Sequence, residues 1–433
     1  MALIRLRDIC LAFGPEALLD HAELVIDAGD KIAVLGRNGQ GKSTLLKVIS
    51  GDVTPDSGQL EFSDNVSIAR LQQEVPNDTD DRSVFDVVAS GHPPNTAQAL
   101  LEIYQTGAVS IDTEQDIWQL SANVQSVISQ LSLDPDSTMS HLSGGQKRRA
   151  MLAKALVTQP QVLLMDEPTN HLDVASVVWL ENFLRKLRVT MIFVTHDREL
   201  IRTLANRIVE IDRGTLTSWK QTYEKYLQFR EQAIAAKAEH DRQFDKKLKQ
   251  EETWIRQGIK ARRTRNEGRV RALKKLREER AARRAQIGQV NMQVQTGNKS
   301  GRVVFELNKV DHAFADKRIL QGFSTTIMRG QKVAIIGPNG SGKTTLLKII
   351  LGDLTPDTGT AKQGTNLEIA YFDQLRTQLN DNLNAADNVS EGADFVDING
   401  SRKHIMGYMQ EFLFSPERAR ASITALSGGE RNR

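Results

Sequence analysis

Two stretches of this sequence combine residue types and spacing that could hold a polyphosphate. Gly36-Arg-Asn-Gly-Gln-Gly-Lys-Ser43 and Gly337-Pro-Asn-Gly-Ser-Gly-Lys-Thr344 both read GxxxxGK[ST]. Glycines let backbone N–H groups turn inward around phosphate oxygens, and a helix starting at the loop adds partial positive charge. Lys42 and Lys343 would reach the terminal phosphates, and the hydroxyls of Ser43 and Thr344 would ligate Mg²⁺. Each loop follows a β-type apolar run, Lys31–Leu35 or Lys332–Ile336, and precedes a helix-favouring TLLK. That order of strand, loop and helix is the one a phosphate-binding loop requires. The binding residues of the two loops are Gly36, Asn38, Gly39, Gly41, Lys42, Ser43 and Thr44, and Gly337, Asn339, Gly340, Gly342, Lys343, Thr344 and Thr345.

Hydrolysis also needs a base. Val162–Asp166 reads as a buried strand ending in Asp166 and Glu167. Side chains alternate along a strand, so the pair can divide two tasks: Asp166 holds hydrated Mg²⁺, and Glu167 orients or deprotonates the attacking water. A second apolar strand, Met191–Thr195, delivers His196. A lone histidine there is an ordinary strand-end residue, but beside the other motifs a contact with the γ-phosphate becomes the better reading. Leu142-Ser-Gly-Gly-Gln146 precedes a segment with helical apolar spacing, which puts Ser143, Gly144 and Gly145 at a helix N-terminus. The pattern fits a second anion site and equally a plain capped helix.

The elements that would carry these residues occur twice. Gly36–Gly58 and Gly337–Gly359 are identical at 16 of 23 positions with an offset of 301 residues. Phe13 and Phe314 share that offset, as do Gln73 and Gln374. The repeat is therefore a whole domain rather than a solenoid unit. The LSGG segments at Leu142 and Leu426 are offset by 284, so the first copy holds 17 extra residues, expected to be an inserted or lengthened helical arm.

Between the copies composition changes. From Arg256 to Arg284, thirteen Lys/Arg face three Glu, a net of +10 in 29 residues, so the chain's overall +3 conceals a cationic linker. Phe244, Leu248, Ile255 and Ile259 fall on one helical stripe, a turn is expected at Arg265–Gly268, and Val270, Leu273 and Leu276 begin another stripe. Two antiparallel helices with a basic tip follow. Charge runs are commonly solvated faces, but clustering of Lys260, Arg262, Arg263, Arg265, Arg269 and Arg271 about the tip favours a polyanion. Scarce aromatics there disfavour base stacking and point to phosphate and shape recognition of structured RNA. A single cysteine, Cys10, excludes a disulfide scaffold, a multi-cysteine zinc module and a cysteine-ligated iron–sulfur cluster. No stretch is long and apolar enough to span a bilayer, so the chain is read as soluble and cytoplasmic.

Phe, GxxxxGK[ST], Gln, LSGG[QE], LLMDEPTNHLD and VTHDR together resemble the nucleotide-binding domains of ABC ATPases. In that family two domains pair head to tail, and the LSGG of one closes over ATP held by the other. The resemblance implies one site from Phe13, Gly36 to Ser43, Gln73, Asp166, Glu167 and His196 with Ser427, Gly428 and Gly429. The other would use Phe314, Gly337 to Thr344 and Gln374 with Ser143, Gly144 and Gly145, and Asp173 would lie at the domain interface. Gln73 and Gln374 join Ser43, Asp166 and Thr344 as Mg²⁺ ligands. Phe13 and Phe314 would stack on adenine, although a core phenylalanine has nearly the same claim on spacing alone.

Paired ABC domains with a charged helical linker resemble the ABC-F family, and the wording EETWIRQGIKARRTRNEGRVRALKKLREER is similar to its Uup-type branch. The expected fold is α/β: two ABC-type P-loop ATPase domains, 1–222 and 302–433, joined by a basic α-helical hairpin at 223–301. Only six residues follow Ser427, so the second copy is expected to be truncated after its LSGGE, with one motif-complete site. The resemblance implies an ATPase using ATP and Mg²⁺ that binds ribosome, rRNA and tRNA when closed and leaves on hydrolysis, with DNA as a further candidate ligand and no membrane partner. It also implies a monomer whose two ATPase domains pair intramolecularly. A tandem ATPase subunit of a membrane transporter and a DNA-maintenance ATPase are the alternatives.

Overall fold

The computed structural model describes residues 2–13, 17–71, 79–107, 114–170, 172–257, 273–274, 301–314, 317–371, 379–398, 401–426 and 431. In chain order the first copy contains β1 (Ala2–Ala12), β2 (Ala17–Asp27), β3 (Lys31–Gly36), α1 (Lys42–Ile49), β4 (Ser57–Phe62) and β5 (Ile68–Leu71). The helices α2 (Val84–Ala89), α3 (Pro94–Thr106), α4 (Glu114–Gln130) and α5 (Gly144–Leu156) follow. The remainder is β6 (Val162–Asp166), α6 (Val174–Lys186), β7 (Thr190–Val194), α7 (Arg198–Leu204), β8 (Arg207–Asp212) and β9 (Thr215–Trp219).

The central sheet runs β5-β6-β7-β3-β8-β9 and is parallel except for β9. Parallel strands are covered on both faces, which explains why β6 and β7 are apolar without alternation and buried throughout. Their side chains still divide by parity. Leu163, Met165, Met191 and Phe193 pack into a core with the helices α2 to α7. Val162, Leu164, Ile192 and Val194 pack on the opposite side with α1 and the antiparallel sheet β2-β1-β4. A buried ion pair joins these layers: Arg207 on β8 reaches Asp30 at 2.8 Å, the Val25 carbonyl at 2.7 Å and Ser218 Oγ at 2.7 Å.

The second copy begins alike, with β10 (Val303–Phe314) and β11 (Lys317–Met328), after α8 (Tyr223–Gln257) has left the first domain. It continues with α9 (Lys343–Leu351), β12 (Thr358–Gln363), α10 (Ala385–Ser390), β13 (Phe395–Ile398), β14 (Ser401–His404), α11 (Ile405–Glu411) and α12 (Pro416–Ala419). The sheet β11-β10-β12 repeats β2-β1-β4, but a β13-β14 hairpin stands where the first copy has the long helices α3 and α4. That difference accounts for the extra residues of the first copy.

One expectation fails. Lys332–Ile336 forms no strand, and Val333, Ile335 and Ile336 are exposed, Ile336 to 82%. In the first copy β3 lies between β7 and β8, both supplied from beyond the LSGG segment. Among the described residues nothing pairs with 332–336, and a strand's backbone groups are satisfied only by neighbours. Helix α9 forms regardless, because helical hydrogen bonds are local.

The 35 residues of α8 extend about 52 Å at 1.5 Å per residue. Leu248 and Leu273 are both buried; the turn expected at Arg265–Gly268 and the rest of the second stripe lie outside the described residues.

Candidate active site

The first phosphate loop sits where β3 passes into α1. Gly41 caps α1 at φ +91°, and an added Cβ would stand 3.3 Å from Leu18 Cβ. At Gly36 a Cβ would lie 2.7 Å from the Ile211 carbonyl, so β8 leaves room for glycine alone. The Lys42 ammonium is folded inward, donating to the carbonyls of Gly36 at 2.9 Å and Arg37 at 3.1 Å and to Asn38 Oδ1 at 3.2 Å. These are weak neutral partners for a buried cation. Burial lowers its pKa, while Glu167 and Asp166 oppose the shift. The result is a glycine-rich turn at a helix N-terminus with an ammonium held against its carbonyls, an arrangement suited to a polyphosphate. Gly39 adopts φ +82°, Thr44 is half-buried and Ser43 is solvent-exposed at the first turn of α1.

Asp166 ends β6, buried, opposite Val194 on β7. Glu167 turns out of the strand at φ +46°, anchored by its N–H to the Val194 carbonyl at 2.9 Å. Burial pushes its carboxyl up to about 7, against a backbone hydrogen bond from His196 that lowers it; Asp166 adds to the rise. His196 Nε2 lies 3.6 Å from Glu167 Oε1 and 3.1 Å from Asn38 Oδ1. Burial, then Lys42, hold the imidazole pKa below its usual value. A near-neutral carboxyl, a neutral imidazole and an ammonium therefore share one pocket, and Asn38 bridges two of them.

The LSGG segment of the first copy forms a capped helix. Ser143 Oγ accepts from the Gln146 N–H at 3.3 Å, and Gln146 Oε1 accepts from the Ser143 N–H at 3.0 Å. A Cβ at Gly145 would fall 2.4 Å from Ser176 Oγ on α6, so the segment is pressed against the helix that Asp173 caps. Asp173 Oδ1 accepts from the Ser176 N–H at 2.9 Å, and its Oδ2 accepts the N–H of Asn339, in the second phosphate loop, at 3.2 Å. The Ser176 hydrogen bonds, then the Asn339 one, hold the Asp173 carboxyl below its usual range. The position of an added Gly144 Cβ is 3.7 Å from Asn339 Nδ2. The first copy's LSGG and the second copy's phosphate loop thus face each other.

In that second loop Lys343 donates to the carbonyls of Gly337 and Pro338, each at 2.7 Å, and Gly340 and Gly342 take φ +76° and +90°. The loop keeps its lysine geometry without a flanking sheet. Thr344 is exposed and Thr345 half-buried on α9. Phe13 and Phe314 are 69% and 52% exposed, so neither belongs to a core. Gln73, Gln374, Ser427, Gly428 and Gly429 lie outside the described residues, as do Lys260, Arg262, Arg263, Arg265, Arg269 and Arg271.

Two contributors escape a motif search. Arg148 on α5 is buried, its pKa lowered to about 10 by burial and supported by the charge of Asp166. Arg149 stacks over Trp179 of α6 at 4.1 Å, and Trp179 stacks on Phe183. Both arginines follow the LSGGQ in sequence, but nothing in the spacing says which one turns inward.

A phosphate cradle at the end of a parallel sheet, with an antiparallel layer on one side and helices on the other, defines an ATP-hydrolysing domain of the ABC class, whose ligands are ATP and Mg²⁺. A sequence profile described as "ABC transporter" matches residues 19–170 and 320–433, and a second so described matches 209–292. The chain belongs to this family, in its ABC-F group of Uup-type ATP-binding proteins. It is 46% identical to ATP-binding protein Uup of Haemophilus influenzae and 44% identical to that of Escherichia coli, in both cases over its whole length and over 69% and 71% of theirs. It is 32% identical, over 98% of its length and 78% of the relative's, to the energy-dependent translational throttle protein EttA of Mycobacterium tuberculosis. Among the described residues no helix is long and apolar enough to cross a membrane.

Proposed function

We propose that this chain is a cytoplasmic ATPase that binds the ribosome through structured RNA when its two halves close on ATP, and leaves when ATP is hydrolysed. The observation that carries this reading is the bridge from Asp173 to Asn339, which brings LSGG of one copy to the phosphate loop of the other across a chain whose middle is strongly cationic.

Each residue has a physical task in that reading. Gly36 to Thr44 and Lys42 bind and neutralise the phosphates; Ser43, Asp166 and Gln73 are suited to Mg²⁺, which supplies charge neutralisation when bound. Glu167, held near neutrality by burial, accepts the proton of the attacking water, and His196 and Asn38 fix its surroundings. Ser143, Gly144 and Gly145 offer a helix N-terminus to phosphate bound at Gly337 to Thr345, with Gln374 and Phe314 completing that site. Ser427, Gly428 and Gly429 serve the first site likewise, with Phe13 on the base. Lys260, Arg262, Arg263, Arg265, Arg269 and Arg271 engage RNA phosphates. The printed name of the Mycobacterium relative, a translational throttle, supports translation as the setting.

The test is co-sedimentation with ribosomes. With ATP, Glu167→Gln should stay bound after the parent chain has dissociated. A variant neutralised at Arg262, Arg263, Arg265 and Arg269 should lose ribosome binding and keep ATP binding. Unchanged dwell time of Glu167→Gln, or duplex DNA outcompeting ribosomes, rejects the proposal.

A further inference from the structure

The β1-β2 hairpin carries a group of side chains that nucleotide chemistry leaves unused. One ligand atom from each of Cys10, Asp20 and His21 lies within 4.8 Å of the other two. On the far side of the imidazole, Asp8 Oδ1 stands 2.5 Å from His21 Nδ1, while His21 Nε2 faces Asp20 Oδ1 at 3.9 Å. A carboxylate on one ring nitrogen fixes the tautomer that leaves the other free to ligate, and metal-binding histidines are held in this manner. The backbone N–H of His21 donates to Cys10 Sγ, 3.4 Å away, which holds the sulfur beside the imidazole.

The second copy shows what the fold alone asks for. At the offset of 301, Asp8, Cys10, Asp20 and His21 correspond to Lys309, Asp311, Gln321 and Gly322. The bulged backbone is the same, with φ +54° and +47° at Asp8 and Lys309, and +48° and +53° at His21 and Gly322. The Gly322 N–H is satisfied by Asp311 Oδ1 at 2.8 Å, in place of the sulfur that serves His21. The hairpin therefore needs one acceptor and, at position 21, a left-handed residue for which glycine is best suited. The first copy puts histidine in that strained place and surrounds it with a thiol and two carboxylates.

We propose that Cys10, Asp20 and His21 bind a zinc ion, with Asp8 orienting His21. Tetrahedral zinc at 2.0–2.3 Å from its ligands separates them by roughly 3.3–3.8 Å. The observed spacing contracts to that by small side-chain rotations on an exposed surface. A mixed sulfur, nitrogen and oxygen set suits Zn²⁺ over the hard cations Mg²⁺ and Ca²⁺, and three protein ligands leave a fourth position to water. The clasp joins the bulges of both strands three residues before Phe13, so it would stiffen the stem from which that ring projects.

The experiment titrates the untagged 433-residue chain with Zn²⁺ against a chromophoric chelator in excess Mg²⁺, then repeats it with Co²⁺ as a spectroscopic reporter. The expected result is one ion per chain at micromolar or tighter affinity, with a thiolate-to-cobalt charge-transfer band that Cys10→Ser abolishes. His21→Gly places the second copy's residue on a backbone that already fits it, so the variant folds, and it should lose at least tenfold in Zn²⁺ affinity. Asp8→Asn, which keeps the size but not the charge, should lose about 10- to 100-fold. Absence of stoichiometric Zn²⁺ binding, a Co²⁺ complex without the charge-transfer band, or affinity unchanged in His21→Gly overturns the proposal.

Discussion

Replacing Glu167 by glutamine should stabilise the nucleotide-free protein, and do so only where the carboxyl would be charged. The folded-state pKa is raised from 4.5 to about 7, chiefly by burial. A raised carboxyl pKa means that the native state prefers the protonated form. Stability linked to this group is present in full below the unfolded value, declines as pH rises from about 4.5, and is lost above about 7. The full shift corresponds to about 3 kcal/mol. Partial access of solvent to the side chain screens the charge, and we take about 1–2 kcal/mol. Glutamine fills the same volume without ionising. In a domain of this size that difference moves the melting midpoint by about 2–8 °C. The assay is thermal unfolding of apo protein, parent and Glu167→Gln, from pH 5 to 8.5. The gap between the two curves should be small at pH 5, widen steadily to about pH 7 and level off beyond. A constant gap, or a glutamine variant less stable at pH 8, would show that Glu167 is not a charge held against its solvation.

The same carboxyl predicts a pH–rate profile: single-turnover ATP hydrolysis should fall up to tenfold per unit as pH drops below about 7, with Glu167→Gln inactive throughout. Arg207→Ala should cost about 3 kcal/mol in urea unfolding, because it leaves the partly buried Asp30 without its cation, whereas the double variant Arg207→Met, Asp30→Leu should recover most of that loss. Asp173→Ala removes a helix cap worth about 1 kcal/mol together with the acceptor for Asn339; Asp173→Asn keeps the cap. Melting should therefore separate the two variants, and disulfide trapping between cysteines placed on the facing loops should be weakened by Asp173→Ala.

The sequence made the phosphate loops, the Asp166–Glu167 strand end and the His196 strand end legible because each is a local pattern: a periodicity, a turn or a glycine at fixed spacing. What it hid depends on distant partners. Lys332–Ile336 has the same local signature as Lys31–Leu35, yet forms no strand, since pairing is a property of neighbours and not of the run itself. The exposure of Phe13 and Phe314 is likewise a matter of what lies opposite them. Arg148 and Arg149 are adjacent and chemically alike, and only the seating of α5 against β5 and α6 turns one inward beside Asp166 and the other onto Trp179. The clustering of Cys10 with His21 required the hairpin's bulges, which no residue pattern announces.

The strand order β5-β6-β7-β3-β8-β9 also dictates a timetable for synthesis. The phosphate loop is translated well before its walls, for the strands that grip β3 end at Val194 and Asp212. At 5–20 residues per second, on the order of ten to thirty seconds pass between the emergence of the loop and that of its last wall. Through that interval the nascent chain exposes an apolar ribbon with open edges, the condition in which chaperones hold or strands mispair. ATP can help this domain fold only at the end of its synthesis, as a latch on a finished sheet and never as a nucleus.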